Sequence, residues 1–331
     1  MKKKILSFLI IITLFCCTGC GNKTTDNATT KSRSIKIACM KGPTAIGMIN
    51  LISQSDKSET SNTYDYSIAG TADEISTALI KGDLDIAAVP CNLASILYNK
   101  TEGEIVTFAI NTLGVLYMLS ADDSITSPAD LKGRTIITTG EGTTPEYTLR
   151  FILSENGLDP DKDVNIEFKS EATEVVASLS ENPDAVIMLP QPYVTVAQTN
   201  NPDLKIVVDL SEEWNKLTDR NIVTGVLVAR KSFIEENSDA FHKFMDEYEK
   251  SADLANSDIE GTAALLEEYD VFKAAIATKA IPYCNVTFIS GSAMVNDVCA
   301  YLEILYNENP ASIGGSYPTE AMFYVEEESV F

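Results

Sequence analysis

Histidine is almost missing from this sequence: His242 stands alone among 331 residues. An imidazole dyad, or a metal site with paired histidine ligands, needs a second such side chain. His242 itself falls in a helical stretch among charged neighbours and is read as a surface residue. Cysteine is present without the spacing that makes it reactive. Past the leader, Cys20, Cys39, Cys91, Cys284 and Cys299 contain no C-x-x-C pair, so zinc and dithiol motifs find no support. Cys39 and Cys91 lie near the ends of predicted strands; a disulfide is one reading, and free buried thiols acting as small hydrophobes are the better one. Basic charge is scarce, 25 Lys and Arg against 48 Asp and Glu, for a formal net charge of −23. With no long basic cluster, nucleic acid is excluded as a partner, because phosphate would be repelled. Neither a Walker-type loop nor a dinucleotide fingerprint occurs. No cofactor is expected. Trp214, the sole tryptophan, is assigned to the core.

A long apolar run is lacking as well. The stretch from Ile5 to Phe15 is too short for a comfortable membrane span, and Lys2, Lys3 and Lys4 precede it. This is the pattern of a targeting leader. Cys17-Thr18-Gly19-Cys20 resembles a bacterial lipobox, which implies cleavage before Cys20 and diacylglycerol on its sulfur; a plain secretory signal is the alternative. Residues 1–19 are thus expected to be a lipoprotein signal peptide and residues 20–34, rich in Thr, Asn, Ser and Lys, a tether. One lipidated end anchors a chain to a membrane surface without spanning it.

Beyond the tether, two periodicities alternate. Ile35–Met40, Tyr64–Ile68 and Ile86–Val89 read as strands, each followed by a helical pattern, which argues for a parallel sheet. In such sheets ligands bind beyond the carboxyl ends of the strands. The loops so placed are Met40–Thr44, Gly70–Asp73 and Pro90–Asn92. A second stretch, residues 126–150, is dense in structural punctuation. Ser127 and Pro128 begin a short helical turn, Gly133 ends it, Arg134–Thr138 reads as a buried strand, and Gly140, Gly142, Thr143 and Thr144 form a loop before a helix opened by Pro145. There is also an internal echo. Asp85-Ile86-Ala87-Ala88-Val89-Pro90 matches Asp184-Ala185-Val186-Ile187-Met188-Leu189-Pro190 in pattern, each a buried strand leaving through proline.

The phrase S-P-A-D-L-K-G-R-T-I at 127–136, the G-D-L-D-I-A at 82–87 and the F-I-E-E-N-S-D-A-F-H-K-F at 233–244 together resemble the ABC-transporter solute-binding proteins of periplasmic-binding-protein type II. The branch is the one holding nitrate, alkanesulfonate, taurine and thiamine-precursor binders, and the resemblance covers nearly all of Ile35 to Asn309. It implies an α/β fold of two lobes, each a parallel-rich sheet flanked by helices, with a double-crossover hinge and a ligand cleft between. Lobe 1 is expected to comprise 35–115 and 215–331, and lobe 2 to comprise 116–214. It also implies a monomer that hands a small molecule to an ABC permease on the extracytoplasmic face of the cell membrane, with no bond made or broken. Two alternatives stand beside this: an enzyme of the same fold in pyrimidine or menaquinone precursor synthesis, and a sensor feeding a receptor.

The candidate ligand-binding residues come from the predicted loops. Lys41 offers a cation, helped by the helix N-terminus at Thr44, or is a solvated loop lysine. Thr71 lies in the Gly70–Asp73 loop. Asn92 either caps its helix or touches ligand. Asn111, with Thr112 and Thr224, falls at the presumed crossovers. Thr143 and Thr144 bind an oxyanion or a heterocycle edge, or simply cap a helix. Glu146, if it faces the cleft, argues for a ligand with donors. Gln191 supplies a donor and an acceptor, and Tyr193 a ring for stacking or for packing. The ligand is expected to be organic, a sulfonate or a thiamine-precursor-like heterocycle.

Overall fold

The computed structural model describes residues 34–325. The leader, Cys20 and the tether lie outside the described residues. The chain opens with three strand–helix units: β1 (Ser34–Met40), α1 (Pro43–Asp56), β2 (Thr63–Ala69), α2 (Ala72–Lys81), β3 (Ile86–Pro90) and α3 (Cys91–Lys100). It continues through β4 (Ile105–Leu113), β5 (Leu116–Ser120), β6 (Thr135–Thr138), α4 (Thr144–Glu155), β7 (Asn165–Phe168), α5 (Ala172–Ser178), β8 (Val186–Pro190), α6 (Tyr193–Asn200), β9 (Lys205–Asp209) and α7 (Leu210–Thr218). It closes with β10 (Val223–Arg230), α8 (Lys231–Glu236), α9 (Ser238–Ser257), α10 (Ile259–Glu268), α11 (Ala274–Ala280), β11 (Val286–Ser290) and α12 (Gly291–Glu308).

The strands form two sheets, ordered β11-β4-β10-β3-β1-β2 and β7-β6-β8-β5-β9. Both are mixed. β1 pairs parallel with β2 and β3, while β10 runs antiparallel to β3 and β4 and β11 antiparallel to β4. In the second sheet β6 is parallel to β7 and β8, and β5 is antiparallel to β8 and β9. The minority strands are β10 and β11 in the first sheet and β5 in the second, so both sheets are parallel-rich as expected. The two sheets flanked by helices are the expected α/β architecture.

The chain leaves the six-stranded sheet after β4 and returns to it in β10. The apolar run Ile105–Ser120 is divided between the two sheets at Gly114 and Val115. Glycine is required there by crowding: a Cβ at Gly114 would lie 2.2 Å from Ser211 Oγ. Helices α8 and α9 are separated at Asn237, whose backbone is non-helical and whose Nδ2 donates to Phe233 O at 3.1 Å. Asparagine favours such local alternatives to helix propagation.

Helix α1 packs on α9 and α10 through polar and apolar contacts together. Ser251 Oγ donates to Gly47 O at 2.7 Å and accepts from Leu51 N at 3.0 Å, while Asn50 Nδ2 donates to Thr262 Oγ1 at 3.0 Å. Phe108 on β4 meets Phe241 edge-on at 5.0 Å. Trp214, fully buried, lies between Phe151 and Tyr301 and so ties α7 to α4 and α12. Each such side chain contributes roughly 1.5–3 kcal/mol by leaving water. His242 on α9 is half-buried, with Nε2 2.9 Å from Tyr324 Oη. The cysteines of the described residues, Cys39, Cys91, Cys284 and Cys299, are free.

Candidate functional site

The parallel strands of both sheets end toward a shared cleft of about 500 Å³. Its walls are the loops after β1, β2 and β3 on one side and after β6, β7 and β8 on the other, with Thr112, Val115, Leu116, Thr224 and Gly225 at the crossings. Helices α1, α2, α4 and α5 begin at these loops, and none of the four has a side chain hydrogen-bonded as its N-cap. First-turn N–H groups are donors without intrahelical partners, and each helix start carries roughly half a positive charge. Four such ends, from two sheets, bound one cavity.

Side-chain charge is mixed. Lys41 and Lys169 line the cleft together with Asp73, Glu141 and Glu171. Lys41 Nζ reaches the Asp270 carbonyl at 3.4 Å, and Lys169 Nζ lies 3.8 Å from Glu167 Oε2. Neither amine is held in a tight ion pair, so both remain available as donors.

Of the residues singled out from sequence, Lys41, Thr44, Thr71, Thr143 and Tyr193 line the cleft. The three threonine hydroxyls already have partners. Thr44 Oγ1 donates to Met40 O at 2.9 Å, Thr71 Oγ1 to Glu74 Oε1 at 2.9 Å and Thr143 Oγ1 to Gly140 O at 2.7 Å. These side chains shape the loops, and the neighbouring backbone offers the donors. Tyr193 Oη lies 3.5 Å from Lys41 O across the cleft, and its ring meets Phe272 edge-on at 5.3 Å. Burial, then the charge of Glu171, pushes the phenol up to about 12, so it stays a donor at neutral pH.

Asn92, Asn111, Thr144, Glu146 and Gln191 stand outside the cleft lining. Asn92 and Thr144 bond to each other. Asn111 is fully buried on β4, facing Gly225. Glu146 accepts from Gly142 N at 2.6 Å and from Arg150 Nε at 2.7 Å, so its carboxylate fixes the loop before α4. Gln191 turns to the far side of α6. Lys169, Ser170 and Glu171 were not singled out. They come after β7 as Lys41 comes after β1, and the same strand-end rule reaches them.

The fold is that of the two-lobed periplasmic binding proteins. A solved structure described as an ABC transporter from Parabacteroides distasonis covers 89% of this chain and 99% of its own, with TM-score 0.73 and 22% identity. The periplasmic aliphatic sulphonate binding protein SsuA from Escherichia coli covers 90% and 95%, with TM-score 0.68 and 15% identity. The periplasmic nitrate-binding protein NrtA from Synechocystis PCC 6803 covers 72% and 67%, with TM-score 0.60 and 13% identity. No curated protein matches the sequence. The family model described as menaquinone biosynthesis matches residues 49–289, and the chain belongs to that family.

Proposed function

We propose that this protein is the extracytoplasmic solute-binding component of an ABC importer, lipid-anchored at Cys20 and monomeric, with lobe 1 built on the six-stranded sheet and lobe 2 on the five-stranded sheet. The expected boundary at 214/215 moves past α7, which is one helix packed on α4. The observation that carries the reading is the convergence of four uncapped helix starts from two sheets on one cleft with Lys41 and Lys169. Such a site has donors in excess and binds an oxyanion by geometry that exists before the ligand arrives. A ligand that touches both walls is complete only in the closed state, and so shifts the population toward closure.

The ligand class is a small organic sulfonate. A flat heterocycle draws on Glu146 and Gln191, and both are engaged elsewhere. Asp73, Glu141 and Glu171 are left to meet a donor at the far end of the molecule, as in an aminosulfonate. The solved relatives named as sulfonate binders agree with this class. No helix among the described residues is long and apolar enough to cross a membrane.

The family description favours a second reading, an enzyme acting on a menaquinone precursor. The two differ in what becomes of the ligand. The full chain, purified in detergent, is titrated with ethanesulfonate and taurine by thermal shift. At a hundred times its dissociation constant, a ligand adds about 2.7 kcal/mol of stability. Mass spectrometry then asks whether the molecule leaves unchanged. A shift with unaltered ligand supports transport. No shift with either sulfonate overturns the ligand class, and conversion of a co-purified compound overturns the transport reading in favour of the enzyme.

A further inference from the structure

A second cavity, of about 740 Å³, lies between α6 and α11 and shares no lining residue with the cleft. Its polar groups are unusual in sign. Gln191, only 4% exposed, has its amide oriented by Thr195, which donates to Oε1 from N at 3.3 Å and from Oγ1 at 2.9 Å. A backbone N–H can only donate, so the atom facing it is the oxygen, and the NH₂ group points away. That Nε2 has no acceptor among the described residues, and Gln191 lines this cavity. The NH₂ group of this mostly buried side chain therefore offers two donors to whatever occupies the cavity.

The other polar groups repeat the pattern. The Tyr117 hydroxyl, on a side chain 7% exposed, has no hydrogen-bond partner among the described residues. Burial, then the charge of Asp209, pushes it up to about 12, so it remains a phenol that donates. Asp209 itself is occupied in capping α7, accepting from Ser211 N at 2.8 Å and Glu212 N at 3.3 Å. Lys279, exposed at the last turn of α11, has no ion-pair partner among the described residues. Around these donors stand apolar surfaces open to solvent: Ile206, 43% exposed, Tyr283, 57% exposed, and Pro202.

We propose that this cavity is a second binding site, for a small monocarboxylate with an apolar or aromatic body. The carboxylate presents two acceptor oxygens to the Gln191 amide, the Tyr117 hydroxyl and the Lys279 ammonium. Its body lies against Ile206, Pro202 and Tyr283. One cation matches one negative charge, and a planar amide beside a phenol suits a planar acceptor. The site goes beyond the transport reading, since none of its residues touches the cleft.

The test is isothermal titration of the full chain with benzoate as the probe. Saturable binding is expected, weakened at least about tenfold by Gln191→Glu and by Lys279→Glu, each of which sets a negative charge against the carboxylate. Gln191→Glu keeps the acceptor for Thr195, and an unchanged melting temperature shows that the variant folds. Lys41→Ala is expected to leave benzoate binding as it was, and benzamide, which lacks the charge, to bind more weakly. Absence of saturable benzoate binding overturns the proposal. So does wild-type affinity in Gln191→Glu, or loss of binding in Lys41→Ala, which moves the molecule to the cleft. A parallel titration with ethanesulfonate reports on the cleft alone, so failure of either site is read separately.

Discussion

Thr144 Oγ1 donates to Asn92 Oδ1 at 3.2 Å, and this pair joins the start of α4 to the first turn of α3. Asn92 Nδ2 also donates to Ser312 O at 2.9 Å and Gly142 O at 3.2 Å. One fully buried amide therefore satisfies groups from two distant parts of the chain, the loop before α4 and the segment after α12. Asn92→Ala leaves them unpaired in a buried site, at a cost of about 3 kcal/mol. A urea titration is expected to show the midpoint lowered with the slope unchanged. An unmoved midpoint would remove Asn92 from the scaffold and return it to the ligand contacts.

Lys41 and Lys169 stand on opposite walls of the cleft. Under the proposed sulfonate reading each donates a charge-assisted hydrogen bond to the ligand, and Lys41→Ala or Lys169→Ala is expected to weaken ethanesulfonate about tenfold or more. Glu171→Gln removes a like charge from the same cavity and is expected to tighten it. Calorimetric titration of the three variants decides this, and equal affinities in all of them would place the sulfonate elsewhere.

Gly47 permits the close approach of α1 to α9. A Cβ there would lie 2.6 Å from Tyr248 Oη and 3.0 Å from Val286 Cγ1. Gly47→Ala is expected to destabilise the fold by about 1–3 kcal/mol through overpacking. Tyr248→Phe removes the nearer obstacle, so the double variant should recover part of the loss, a coupling that a thermodynamic cycle measures directly. Strict additivity would show that the helices separate instead.

Asp122 accepts from Ser124 N at 2.9 Å and from Arg134 Nη2 at 2.6 Å. Its hydrogen bonds with Ser124, then that with Arg134, hold its carboxyl at about 2. A carboxylate depressed on folding stabilises the protein above its unfolded value and loses that contribution as pH falls toward the folded one. Stability should therefore decline between about pH 4 and pH 2, and Asp122→Asn should flatten that part of the profile. Denaturation curves at stepped pH test the difference in slope.

Burial pushes the Cys39 thiol up to about 12 and raises those of Cys91 and Cys284 as well. Cys299 is half-buried. Among the four cysteines of the described residues, rapid reaction of the native protein with a thiol reagent is expected at Cys299 alone, the other three reacting only on unfolding. Rapid labelling of Cys39 or Cys91 in the native state would contradict the packing of the six-stranded sheet.

Local signals with a single physical meaning were readable in advance. The alternation of strand and helix through Lys100, the proline exits at Pro90 and Pro190, and the strand-end loops holding Lys41 and Thr71 all come from backbone rules that act over a few residues. Asp130 accepts from both Ser127 N and Ser127 Oγ at 2.9 Å, as expected for a capped turn. Side-chain direction was not readable. Glu146 and Gln191 sit at the right ends of the right elements, yet Arg150 and Thr195, each four residues on, draw them away. Strand orientation at the crossings was equally hidden, because β10 and β5 have the same apolar composition that a parallel strand would have.

Leu113 and Val223 are partners in the pairing of β4 with β10. Everything from Gly114 to Ile222, the entire five-stranded sheet included, is thus an insertion at the tip of what would otherwise be an ordinary β-hairpin. Excising it and bridging the two partners with a two-residue turn breaks no strand pairing of the six-stranded sheet. Conversely, a foreign domain whose ends lie a few ångströms apart is graftable at the same point. The molecule is in this sense modular at one address, with one wall of its cleft carried on a removable cassette.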